Sequence, residues 1–200
     1  VPAEEVVSVK RDIMDLMMRA TSPQITGTER LYFGHNDDSP FKDERVRIAY
    51  MKSIDRDAFI ATAHNTDRFE REGLPVETFW EGSIAAGSWG GWYLDPRSKE
   101  FGPNSKFFYP NPAEAKKLLS AAGFNGPVEY NVYYGTLASH TPAYSRWVEA
   151  LNGMQRDSGL FRPTNRELDF ATEWQTFRFN KGIPGSWYFP PGSFWSVNRA

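Results

Sequence analysis

Seven Trp, fifteen Phe and nine Tyr in 200 residues make the chain rich in flat, rigid side chains, most of them expected in the core. Such rings serve as core filler or as ligand platforms. Trp80, Trp89, Trp92 and Tyr93 are interleaved with Gly82, Gly87, Gly90 and Gly91, with Pro75, Pro96 and Pro103 punctuating the same stretch. Rings on a loop of this kind can stack on sugar faces or enclose apolar side chains. They can equally be packing residues that tie a glycine-rich segment to the body. A second aromatic group, Trp187, Tyr188 and Phe194, lies in the run Gly185–Phe194. Between them, Tyr134-Gly135-Thr136-Leu137-Ala138-Ser139-His140-Thr141-Pro142 reads as a strand running into a helix start. Its free backbone N–H groups can take a carboxylate, phosphate or hydroxyl oxygen. Thr141 as a simple N-cap is the plainer reading of that turn. Gly135, Thr136 and His140 join the aromatic residues as candidate ligand contacts.

Covalent and metal chemistry find little support. The chain contains no cysteine, so disulfides, thiolate metal sites and a cysteine nucleophile are excluded. His35, His64 and His140 are scattered, with no HExxH. His35-Asn36-Asp37-Asp38 lacks the glycine and terminal glutamate of a calcium loop, which leaves a solvated turn. The Gly-Ser pairs at 82–83, 87–88, 185–186 and 192–193 do not sit in a GxSxG frame, and neither a P-loop nor GxGxxG occurs. Glu77, Glu81, Asp95, Asp169 and Glu173 qualify for a glycosidase pair by type alone, since that chemistry needs two carboxylates about 5–9.5 Å apart. No catalytic residue, metal or cofactor is assigned.

The elements that must position these residues are readable in outline. Val6, Val7, Val9, Ile13, Met14, Leu16 and Met17 are spaced for a helix over Val9–Ala20, ended by Thr21-Ser22-Pro23. Leu31–Gly34 reads as a strand. Asp43 caps a helix from Glu44 to about Ser53 that buries Val46, Ala49 and Tyr50, with Arg45 and Arg47 on solvated or ion-paired faces. Asp55 caps a second helix through Ala63. Asn111, Pro112 and Glu114 form a capping box, and Gly123 is the left-handed stop of that helix. Val128–Tyr134 is a strand. Pro142 opens a helix that places Tyr144, Trp147, Val148, Leu151 and Met154 on one face. Leu168–Phe179 reads equally as a strand or as a strand broken at Thr172-Glu173-Trp174-Gln175 and followed by a short helix, and Ser186–Trp195 as a last aromatic strand and loop. Alternating helices and short strands make a mixed α/β sheet with packed helices. The formal charge of −2 offers no field for nucleic acid, and no apolar run reaches the roughly 20 residues of a membrane span.

Two stretches carry a family resemblance. Pro40-Phe41-Lys42-Asp43-Glu44-Arg45-Val46-Arg47-Ile48-Ala49, continued by Ile54-Asp55-Arg56-Asp57-Ala58, resembles the "PF.D.RVR.A…IDRDA" signature of the family 5 extracellular solute-binding proteins, the receptors of peptide-type ABC importers. Tyr109-Pro110-Asn111-Pro112-Ala113-Glu114-Ala115-Lys116-Lys117-Leu118-Leu119, closed by Ala122-Gly123-Phe124, resembles that family's "Y.P..AKKLL..AG(F/Y)" helix. The resemblance implies one lobe of a two-lobed, type II periplasmic-binding-protein-like fold. Residues 1–30 would be a helical lead-in and 31–200 the lobe body. A chain opening at Val1-Pro2-Ala3, without Met or a signal peptide, would then be a piece of a longer protein.

The resemblance further implies that the glycine-rich loop and the turn after Tyr134 face a ligand cleft, and that a permease and a second lobe are partners. The solute would be a short peptide or an oligosaccharide. One departure matters. Pro190-Pro191 stands where peptide-binding members carry an Asp-Pro pair whose acid meets the peptide's amino end. A buried ammonium without that partner costs several kcal/mol, roughly, which tilts the reading toward an uncharged or sugar-like ligand unless another acid, such as Asp169, takes its place. A carbohydrate-binding or carbohydrate-active domain, and an interaction domain without a small ligand, remain open alternatives at this level.

Overall fold

Side-chain caps set the start of three of the described α-helices. The computed structural model describes residues 5–16, 30–35, 37–74, 76–80, 91–136, 142–174 and 186–189. Its elements in chain order are α1 (Val6–Asp12), β1 (Arg30–Phe33), α2 (Glu44–Lys52), α3 (Arg56–His64), α4 (Thr66–Arg71), α5 (Pro112–Ala121), β2 (Val128–Thr136), α6 (Pro142–Asp157), β3 (Phe161–Asp169) and β4 (Ser186–Phe189). Asp43 accepts from the Arg45 N–H ahead of α2, Asp55 from the Ala58 N–H ahead of α3, and Asn111 from the Glu114 N–H ahead of α5. Each satisfies a donor the helix itself leaves without a partner.

The four strands lie in the order β1-β4-β2-β3, with β2 parallel to both neighbours and β1 antiparallel to β4. α6 is the crossover between the parallel strands β2 and β3, as parallel pairing requires. Along β2, Val128, Tyr130, Val132 and Tyr134 are buried, the period of two expected of a strand with one covered face. Phe41, Val46, Ala49 and Tyr50 pack on them, joined by Ala115 and Leu119 of α5, Val148 of α6 and Phe161 of β3. The opposite row of the sheet is polar: Arg162 reaches Glu129 at 2.9 Å and Arg166 reaches Asn131 at 3.0 Å. The described body is thus a sheet with helices on one face.

Two ties fix the helices to each other. Lys52, buried at the end of α2, donates to the Lys106 carbonyl at 3.0 Å and pairs with the Glu114 carboxylate at 2.9 Å. Glu114 therefore does not close the expected capping box. Its carboxylate turns to Lys52, while the Asn111 N–H donates to the Lys52 carbonyl at 2.8 Å instead. The second tie is Ser53, whose hydroxyl donates to Gln155 of α6 at 2.8 Å. Arg45 and Arg47 are ion-paired or bonded to carbonyls at the surface, as expected: Arg45 to Asp43 and the Ala121 carbonyl, Arg47 to those of Phe41 and Lys42.

Three boundaries differ from the sequence reading. α1 starts at Val6 and stops at Asp12, because the Lys10 ammonium gathers the Met14 and Leu16 carbonyls, each at 2.7 Å, into a turn. The expected end of that helix at Thr21-Ser22-Pro23 lies outside the described residues. A short helix, α4, follows a left-handed Asn65 (φ 55°). β3 begins at Phe161, well before Leu168, and a π turn (Phe170–Trp174) follows it. The Val128 N–H bonds to the Leu160 carbonyl, so the even-numbered backbone groups of β3 face β2 and the missing N–H of Pro163 lies on the strand's outer side. Arg156 donates to the outward Pro163 carbonyl at 3.4 Å.

α5 ends as expected. The Gly123 N–H bonds to Ser120 and the Phe124 N–H to Leu119, the paired bonds of a Schellman stop, with Gly123 at φ 93°. No atom lies within 4 Å of a Cβ built there, so only the backbone resists substitution. Gly123→Ala is expected to destabilise the fold by about 1 kcal/mol, read as a lower urea midpoint at unchanged slope.

Candidate functional site

The parallel strands end together. Thr136 of β2 is opposite Asp169 of β3, and β4 runs beside β2 with Val132 opposite Ser186 and Tyr133 opposite Trp187. Gly135, Thr136, Trp187 and Tyr188 therefore gather at the carboxyl edge of one sheet. Antiparallel β1 brings Arg30 opposite Phe189, at that same edge.

The covered row of β3 changes character toward this edge. Phe161 and Pro163, opposite Val128 and Tyr130, give way to Asn165 and Glu167, opposite Val132 and Tyr134. Asn165 accepts from Asn152 of α6 at 2.6 Å, and the Tyr134 hydroxyl donates to Glu167 at 2.7 Å. Burial first, then the Glu167 carboxylate beside it, pushes the Tyr134 hydroxyl above the ordinary phenol range, so it stays a proton donor. Asp169 accepts on one oxygen from the N–H groups of Ala171 and Thr172 and from the Thr172 hydroxyl. The Thr172 bonds hold its carboxyl below the usual range. The edge thus carries a fixed, solvent-facing negative charge.

Trp80 is placed elsewhere. Its ring is buried, only 4% exposed; the indole N–H donates to Asp57 at 2.7 Å, and Tyr109 meets the ring edge-on at 5.0 Å. The guanidinium groups of Arg56 and Arg97 lie 5.9 and 5.6 Å from the ring centre. Arg56 also donates to the Phe108 carbonyl, and burial pulls its guanidinium down to about 10, so it is charged at neutral pH. The Tyr93 hydroxyl closes the group by donating to the Trp80 carbonyl at 3.0 Å. Trp92, by contrast, is 78% exposed.

These two groups sit at opposite ends of the sheet. α6 leaves the carboxyl edge after Thr136 and ends near the amino edge, just ahead of Phe161. Ser53 bonds to Gln155 near the end of α6, while the Trp147 indole near its start donates to the Ala63 carbonyl at 3.0 Å. α3 therefore starts at the amino edge, and Asp57, in its first turn, holds Trp80 there. The structure brings Gly135, Thr136, Trp187 and Tyr188 together and keeps Trp80, Trp92 and Tyr93 apart from them. Trp89, His140 and Phe194, with Thr141, lie outside the described residues.

No family model matches the sequence, and no curated protein matches it. Solved structures do. The Escherichia coli murein tripeptide binding protein MppA is similar over 94% of this chain at 21% identity and TM-score 0.61, and its unliganded open form reaches 0.64. Haemophilus influenzae OppA, in complex with RPPGFSPFR, gives TM-score 0.61 at 17% identity over 94% of the chain, and the agropinic acid complex of AgaA from A. tumefaciens gives 0.58 at 21% over 95%. The fold is that of the periplasmic solute-binding proteins. The structural neighbours are members of the family whose signatures the sequence resembles. The chain spans about a third of their length, 33% in each of these three structures.

Within this solute-binding fold, sequence reasoning missed the residues that hold the candidates in place. Asp57, Arg56 and Arg97 anchor Trp80, and Glu167 engages Tyr134. Asp57 was legible as an acid in the first turn of a helix, but its partner lies 23 positions away. Among the described residues no three His, Asp or Glu groups could hold a metal ion, and no helix is long and apolar enough to cross a membrane.

Proposed function

We propose that this chain is a ligand-grasping lobe of a periplasmic or extracellular receptor that delivers a small solute to an ABC-type permease. It would work as part of a longer protein, binding at the carboxyl edge of its sheet without transforming the ligand. The observation that carries the reading is the common ending of β2, β3 and β4, which groups Gly135, Thr136, Trp187 and Tyr188 there. Open sheets with parallel strands favour ligands beyond the carboxyl ends. Enclosure would come from a second lobe closing by hinge motion.

A short peptide is the first choice of solute and an oligosaccharide the second. Asp169 supports the peptide: it supplies an ionised carboxylate opposite Thr136, an acid for a ligand ammonium where Pro190-Pro191 offers none. The solved structures it resembles, a tripeptide-binding protein, a peptide complex and an agropinic acid complex, support a small polar solute.

Thermal unfolding of the parent-length protein with panels of short peptides and oligosaccharides tests both choices. A ligand at a hundred times its Kd stabilises the folded state by about 2.7 kcal/mol. Peptides are expected to raise the melting temperature of the wild type and to raise that of Asp169→Asn much less, each measured against its own ligand-free state. A shift from oligosaccharides alone, unchanged in Asp169→Asn, would move the reading to sugars. No shift from either panel would favour an interaction domain, and turnover of chromogenic glycosides would replace the receptor by an enzyme.

A further inference from the structure

The dipeptide Asn-Gly occurs at Asn125-Gly126 and at Asn152-Gly153, and the fold treats the two in opposite ways. Asn125 and Gly126 form an exposed bend between α5 and β2. Among the described residues, no hydrogen bond engages the Asn125 side chain or the Gly126 N–H. A Cβ built on Gly126 would meet nothing within 4 Å. Asn152 is 1% exposed and its amide donates to Asn165 at 2.6 Å. Gly153 follows inside α6, where backbone N–H groups bond four residues back.

We propose that Asn125 is a site of spontaneous covalent modification, its amide converting through a cyclic imide to aspartate and isoaspartate, while the fold keeps Asn152 inert. In the closing step the Gly126 nitrogen gives up its proton to solvent base and attacks Cγ of Asn125. The N–Cγ bond forms, the Cγ–Nδ2 bond breaks, and Nδ2 leaves as ammonia. Water then adds to one of the imide carbonyls. Opening at the side-chain carbonyl gives aspartate; opening at the main-chain carbonyl routes the backbone through the side chain as isoaspartate. The sequence needs only water. Glycine leaves the approach to Cγ unhindered, and a Gly126 N–H without a partner has no bond to surrender. In α6 the same attack must wait for the helix to open locally.

The position gives the change a consequence. A new carboxylate just past the α5 C-cap Ala122 faces the negative end of that helix. Isoaspartate also adds a backbone carbon between the Gly123 stop and the Val128–Leu160 bond, 2.9 Å long, that leads β2 onto β3.

The test ages the folded 200-residue protein at mildly alkaline pH beside a synthetic peptide of residues 121–130, and follows both by peptide mapping and mass spectrometry. The product is heavier by the difference between OH and NH2, and hydroxylamine cleaves the chain at the imide. Asn125 is expected to convert within about tenfold of the peptide's rate and Asn152 on the order of a hundredfold slower than Asn125. Asn125→Gln, which disfavours the five-membered ring, should remove the product. Equal protection of both sites, faster conversion at Asn152, or an unchanged protein beside a fully converted peptide would each overturn the assignment.

Discussion

Phe41→Ala is expected to lower the stability of the fold by about 3–5 kcal/mol, which for a chain of this length is a fall in melting temperature on the order of 10 °C. Phe41 is fully buried. Its ring centre lies 4.6 Å from that of Phe33, 5.8 Å from that of Tyr50 and 5.0 Å from that of Tyr130. It thus stands where β1, the entry to α2 and β2 meet, and alanine would leave three rings around a gap. Ser39 fixes the approach: its hydroxyl donates to the Gly34 carbonyl at 2.6 Å and accepts from the Phe41 N–H at 3.3 Å. Urea unfolding followed by tyrosine and tryptophan fluorescence gives the number directly. A loss below about 1 kcal/mol, far under the usual cost of truncating a buried ring, would mean that this junction does not form.

Trp80→Ala should also cost about 3–5 kcal/mol, in the absence of any ligand. Trp80→Phe should cost about 1–2 kcal/mol, because the ring stays packed while the bond to Asp57 is lost and that exposed carboxylate returns to water. The pair of variants separates two roles that a tryptophan on such a segment could have. An anchor loses unfolding free energy in the ligand-free protein. A binding platform keeps its stability there and loses only the stabilisation a solute confers. Ligand-free Trp80→Ala at wild-type stability would return Trp80 to the binding site.

Local chemistry was legible in the sequence where a cap and a periodicity agreed. α2, α3, α5 and β2 each have a polar starter or a clear alternation, and their residues need no distant partner to be recognised. β3 was not legible over its first half, because Arg162-Pro163-Thr164-Asn165-Arg166 reads as loop. As an outer strand in the described sheet it tolerates a proline and exposes most of its side chains, so neither propensity nor alternation marks it. The candidate site was legible by residue type but not by placement. Register puts Trp187 beside Tyr133, and only tertiary structure separates that pair from Trp80. Asp169, named from the sequence as an acid that could stand in, lies at the carboxyl edge; the three hydrogen bonds that hold its carboxylate there depend on a π turn where the sequence offered a short helix without its place or kind.

The outer side of β3 bears on how the molecule behaves at high concentration. A strand at the end of a sheet offers its backbone to any neighbouring chain, the usual route to edge-to-edge aggregation. Here Pro163 has no N–H to offer on that side, and the Pro163 carbonyl is taken by Arg156. Another strand would have to displace Arg156 and forgo a ladder bond at the middle of the segment. In the described sheet, the proline that disguises β3 as a loop is thus the residue that guards its outer side against polymerising.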